Sequence, residues 1–143
     1  MPDHHAEFKA RLVHALTTDA AVVALLGDAD AVHFRHPAQR ATYPAIVYDY
    51  DTEYALGPNR EGARRLALRL RLVGPDPDAL DTLESQVKAL LDEAPHVLTT
   101  AGWACRSLRL LRSRMTPTGQ AAPDEGTPLF ATATEWDVRL YAK

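Results

Sequence analysis

The sequence predicts an α+β domain: a single mixed or antiparallel sheet of about five strands with helices packed on one face. Three observations carry that expectation. AIVYDYDTEYA (45–55) and RLALRLRLV (65–73) alternate apolar and polar residues with period two. Between GPDPD and Pro95, apolar residues recur at helical spacing instead. Beyond that helix two more strand-like stretches follow, so helices and strands do not simply alternate as they would in a parallel α/β sheet.

Taken in order, the first element is an amphipathic helix with Phe8, Leu12 and Leu16 on one face and Asp3 as its N-cap. Asp19 then caps a short helix carrying Val22, Val23, Leu25 and Leu26, and Gly27 is expected to stop it in a left-handed conformation. VHFRH (32–36) reads as a strand, and HPAQRATYP as a proline-bearing connection. In the next strand Ile46, Tyr48, Tyr50, Thr52 and Tyr54 face one way, while Val47, Asp49, Asp51 and Glu53 face the other.

GPNREG separates that strand from RLALRLRLV, which indicates an antiparallel hairpin. Its register follows from charge. If paired positions sum to an even number near 118 or 120, the tyrosine row meets Leu66, Leu68, Leu70 and Leu72, and Asp49, Asp51 and Glu53 meet Arg65, Arg69 and Arg71. An odd sum would bury carboxylates among leucines at a cost of several kcal/mol each.

Asp78 is the expected cap of the following helix, whose stripe is Leu80, Leu83, Val87, Leu90 and Leu91. Acidic Asp81 and Glu84 suit its positive N-terminal end, and Pro95 ends it. Trp103, Cys105, Leu108 and Leu110 indicate a strand in which the alternation slips, as at a β-bulge. Residues 116–127, TPTGQAAPDEGT, are expected to form a flexible loop. A last strand places Phe130, Trp136, Val138 and Leu140 on one side.

Composition narrows the function. A chain of 143 residues, 46% hydrophobic and 24% charged, suits one domain over 1–143. A net charge of -3 argues against a basic nucleic-acid binder. No run reaches the roughly 18–20 apolar residues that span a bilayer, and the N-terminus lacks the apolar core of a signal peptide, so the expected setting is the cytoplasm or a particle assembled there.

Candidate chemistry is sparse. His4 and His5 fall in a terminus expected to fray, and His33 with His36 lacks a third ligand at a familiar spacing, so they read as surface histidines and neither a metal nor a cofactor is expected. Cys105 is the single cysteine and sits on a strand, which favours packing over nucleophilic use. Asp49, Asp51 and Glu53 could serve as acid, base or cation ligands, but arginines across the strand account for them as a charge ladder. Arg106, Arg109, Arg112 and Arg114 form a basic strip that could meet phosphate or an acidic partner, or be balanced by Asp124, Glu125, Glu135 and Asp137. The sequence contains no phosphate-binding glycine loop, nucleophile elbow or histidine-glutamate zinc motif.

Several of these stretches together resemble a known family. The residues are Asp19, Val23, Leu26 and Gly27; Tyr43, Pro44, Ile46 and Val47; and Leu68 and Leu70 leading through GPDPD to Asp78, Leu83, Val87 and Leu91. This pattern is similar to the tail-completion or tail-terminator proteins of tailed bacteriophages, clearly over about residues 5–95 and by element order beyond.

The resemblance implies a structural virion protein of the tail and neck, assembled in the host cytoplasm and not an enzyme. It implies a homo-oligomeric ring, typically a hexamer, that caps the head-proximal end of the tail tube and stops its polymerisation. The implied partners are the tail-tube protein, the head-tail connector proteins, and DNA that passes through the lumen without specific binding. The acidic side of the hairpin is then a candidate lumen or subunit seam, and the arginines named above are candidate interface groups. The alternatives are another neck protein, such as a head-closure subunit, or a small ligand-binding or enzymatic α+β module, which would need a pocket with convergent polar groups.

Overall fold

A computed structural model describes residues 3–36, 42–54, 62–121 and 127–143. Helices α1 (His4–Thr18) and α2 (Ala20–Val23) are followed by β1 (Val32–Phe34), β2 (Ala45–Tyr54) and β3 (Ala63–Gly74). Helix α3 (Pro77–Leu91) and a 3-10 helix (Pro95–Leu98) lead to β4 (Trp103–Ala121) and β5 (Pro128–Ala142). The strands form one open sheet in the order β1-β2-β3-β5-β4, with β1 parallel to β2 and every other neighbour antiparallel.

The β2-β3 register is the even one. Ile46 faces Leu72, Tyr48 faces Leu70 and Tyr50 faces Leu68, each pair summing to 118. Pairing with β5 continues the apolar row through Leu68↔Trp136 and Leu66↔Val138. The helices lie on that row: Phe8, Leu12 and Leu16 of α1 and Leu80, Leu83, Val87 and Leu91 of α3 join the leucines of β3 in one core. Burial of this kind stabilises by about 25 cal/mol for each Å² of apolar surface removed from water, so the leucine face and the helix from GPDPD depend on each other.

The helix ends show local chemistry at work. Asp3 accepts from the His5 N–H at 2.9 Å and Asp19 from the Val22 N–H at 3.0 Å, as expected of N-caps. For α3 the cap is Asp76, not Asp78: the Asp76 carboxylate accepts from the Asp78 N–H at 3.1 Å, and Pro77 takes the first helical position. Proline has no N–H to lose there, which moves the start two residues earlier than the apolar stripe suggests.

Gly27 corrects a second expectation. It has no left-handed backbone; the positive-φ glycine among the described residues is Gly119. Instead a Cβ on Gly27 would lie 2.6 Å from the Tyr43 nitrogen, and the Gly27 N–H donates to the Pro44 carbonyl at 2.8 Å. Glycine is needed because two backbones touch.

The segment expected as a loop over 116–127 is strand in its first half, because β4 continues to Ala121. Thr116 pairs with Ala131 and Pro117 with Phe130, and a register shift before Ala121 with Gly119 at φ 76 absorbs the irregular composition. Residues 122–126 of that segment, with Asp124 and Glu125, lie outside the described residues, as do residues 57–61 of GPNREG.

Candidate assembly interface

Because side chains alternate across a strand, the face of the sheet turned away from the helices is built from the odd positions of β2, β3 and β5. Two bulges carry β4 into the same pattern. Its register shifts between Cys105 and Ser107 and again between Leu110 and Arg112, so Cys105, Leu108 and Leu110 stay on the core side while Arg109, Arg112 and Arg114 face outward. The slip in alternation legible in the sequence is the first of these bulges, at Arg106; the second, at Leu111, adds to it.

The outer face is laced by ion pairs. Arg69 donates from Nη2 to Asp49 and from Nη1 to Asp51, both at 2.9 Å. Arg65 donates from Nε to Asp137 at 2.8 Å and approaches Glu53 at 3.6 Å. Asp137 also accepts from Arg139 at 3.2 Å, and Arg112 pairs with Glu135. Asp137 is the best shielded of these carboxylates, with its side chain 10% exposed, and it joins β3 to β5.

The electrostatics follow from these contacts. Burial opposes ionisation of Asp49, but the hydrogen bond and charge of Arg69 outweigh it and hold the carboxyl below its usual range. Hydrogen bonds to Asp51 and Asp49 keep the Arg69 guanidinium charged more firmly still. The acids of β2 are therefore answered in place and do not form a bare negative strip.

Two expected members sit apart. Arg71 lies opposite Val47, not a carboxylate. It lines an open cleft of about 550 Å³ with Arg35, His36, Thr116 and Thr118, above Val73 and Leu129. Val47, Val73, Leu129 and Ala131 make a small apolar cluster beneath. Arg106, at a bulge, places its guanidinium over the Tyr141 ring, 5.5 Å from the centroid. Glu135 answers Arg112 as expected, but Asp137 is taken by Arg65 across the β3-β5 pair and by Arg139 two residues along its own strand.

Of the two histidines at the N-terminus, His5 is an exposed surface group as expected, but His4 is not. His4 is 5% exposed, with Nε2 3.3 Å from the Thr52 hydroxyl and its ring edge-on to Trp103. His5 Nδ1 is 2.9 Å from the Tyr50 hydroxyl. Burial, then the charge of His5, lowers His4 to about 4, and burial raises Tyr50 to about 12. Cys105 is buried and raised to about 11 by burial, as a packing residue. Among the described residues no group of three or more His, Cys, Asp or Glu gathers, and no helix is long and apolar enough to cross a membrane.

An open mixed sheet with helices on one face, and with charges on the other satisfied across strands, defines a small protein of the α+β class. Residues 10–135 match the family described as tail completion protein gp17. Among solved structures, the chain is similar to one from the virion of a native gene transfer agent (GTA) particle, with a TM-score of 0.72, 14% identity and 99% of each chain covered. At that identity the likeness is one of fold. No curated protein matches the chain. The chain belongs to the tail completion protein gp17 family, and is thereby a structural protein of the phage tail and a component of the virion.

Proposed function

We propose that this tail completion protein is a tail terminator. Copies close into a ring, of six subunits, on the head-proximal end of the tail tube, stop tube polymerisation, and offer the opposite rim to the head-tail connector proteins. The observation that carries the reading is the family match over residues 10–135.

The sheet supports it. A cyclic ring uses heterologous contacts, each subunit presenting two different patches, and an open sheet has two unlike edges to present. The outer face also suits a lumen through which DNA slides. Arg65, Arg69, Arg112 and Arg139 already hold carboxylates, so phosphates gain little by displacing them.

Electron microscopy of particles made without the protein tests the reading. Tails of uncontrolled length, or tails without heads, are expected. Tails of normal length joined to heads would overturn it, and images of the neck averaged without imposed symmetry would show whether six copies are present.

A further inference from the structure

The two margins of the sheet are finished differently along their length. At one margin β1 covers β2 only as far as Tyr48, through Val32↔Ile46, His33↔Val47 and Phe34↔Tyr48, with the Arg35 N–H donating to the Tyr48 carbonyl at 2.8 Å. The Tyr50 N–H donates to the Asp49 carboxylate at 2.8 Å, and from there to Tyr54 that edge of β2 has no backbone partner among the described residues.

At the other margin the first half of β4 is closed by its own chain. The Cys105 N–H donates to the Thr99 hydroxyl at 3.0 Å, and the Leu108 carbonyl accepts from the Glu93 N–H at 2.9 Å. The Leu110 N–H donates to the Asp92 carboxylate at 3.0 Å. From Leu111 to Thr116 the outer edge of β4 has no backbone partner among the described residues, and Leu111 is 59% exposed.

Unpaired strand edges are templates for another strand. Here the two open stretches carry side chains of opposite charge on the same face of the sheet, with Asp51, Glu53 and Arg112 shared with Arg69, Arg65 and Glu135 of their own copy. The β2 stretch bears Asp51 and Glu53, whose side chains are 71% and 63% exposed. The β4 stretch bears Arg112, 75% exposed, and Arg114, which stands opposite Ala133. The strands also run in the right sense: β2 is antiparallel to β3, β3 to β5 and β5 to β4, so β4 of one copy meets β2 of the next antiparallel.

We propose that the open half of β4 pairs with the open half of β2 in a second copy of this chain, setting Arg114 against Asp51 and Arg112 against Glu53. This rests on the ring reading above and specifies its seam. The contact is heterologous, so repetition around an axis joins the sheets edge to edge, and closure is the one arrangement that leaves no open edge. The stretch of β4 that can pair is bounded at one end by its own contacts with Asp92 and Glu93 and at the other, beyond Thr116, by the neighbour's β1. Cross-strand charges then select this register over one that would bring arginine to arginine.

A charge exchange tests the seam in assembled particles. Asp51→Arg alone and Arg114→Glu alone should each lower incorporation into necks at least about tenfold, since like charges would then face each other. Asp51→Arg with Arg114→Glu should restore most of it. A single variant that incorporates as wild type, or a double variant no better than the singles, overturns the proposal.

A second measurement does not depend on how well those variants fold. Particles carrying Glu53→Cys with Arg112→Cys should give a ladder of disulfide-linked copies on a non-reducing gel. Necks that contain rings of this variant without a ladder would refute the seam and leave the ring reading standing; wild-type necks without rings would refute the ring reading itself.

Discussion

The Asp92 carboxylate, just past the end of α3, accepts a hydrogen bond from the Leu110 N–H in the edge strand β4 at 3.0 Å. The neighbouring Glu93 N–H donates to the Leu108 carbonyl, so one helix end closes two backbone groups of this edge. Asp92→Ala should lower stability by about 1 kcal/mol, the worth of a typical hydrogen bond. It should also raise concentration-dependent association, because the edge is longer. Denaturant titration and light scattering check the two effects.

Gly27→Ala should destabilise by about 1–3 kcal/mol, the usual cost of forcing an atom into a packed site. The added methyl would meet backbone at the Thr42–Tyr43 link, which cannot swing aside as a side chain can. A thermal melt reads this, and an unchanged midpoint would contradict the close approach.

Arg69→Leu should raise the Asp49 carboxyl, since burial would then act on it without the opposing bond and charge. A carboxyl held low in the folded state contributes stability above its unfolded pKa, which is lost as pH falls through the folded value. The variant should therefore show a weaker dependence on pH at the acid end. At neutral pH the loss should be only about 0.5–1 kcal/mol, because both side chains are more than one third exposed. Carbon-detected NMR of Asp49 checks the shift.

His4 loses stability in the same direction for a different reason, because burial disfavours its charged form. Its folded value is about 4 against an ordinary 6.5, so the unfolded chain binds the proton first as pH falls. Its contribution to stability is complete above about pH 6.5 and declines down to about pH 4. His4→Gln can keep a hydrogen bond to Thr52 but cannot titrate there, and the melting temperature of that variant should vary less with pH across this window.

The Cys105 thiol, buried and raised to about 11, should react with a soluble disulfide reagent only as fast as the protein opens. Equal rates in buffer and in denaturant would contradict its burial.

The sequence disclosed what repetition and charge encode. The β2-β3 register followed from the clash between Asp49, Asp51, Glu53 and a leucine row, and the paired sum of 118 bears this out. The bulge at Arg106 followed from the three-residue step between Cys105 and Leu108, while the second, at Leu111, left no such mark. Helix caps Asp3 and Asp19 were legible because capping is local. What escaped was nonlocal or ambiguous within a run of like residues. GPDPD offers two aspartates, and Pro77 decides for Asp76 by taking the first helical position. The closeness of Gly27 to Tyr43, and the use of Asp92 to close the edge of β4, depend on chain segments meeting after folding. His4 reads as terminal and polar, yet the first turn of α1 brings it against Trp103.

The chain holds two tryptophans, Trp103 and Trp136, and each is 1% exposed within the helix-covered core. Trp136 donates from its indole nitrogen to the Thr134 hydroxyl at 2.8 Å, and Thr134 donates onward to the Leu70 carbonyl at 2.8 Å. Both indoles are thereby buried on the core side, away from the outward-facing charges of the open strand edges. Emission wavelength becomes a folding signal alone, so a mutant that keeps a blue emission while losing particle incorporation has lost its contacts with neighbours and kept its native core.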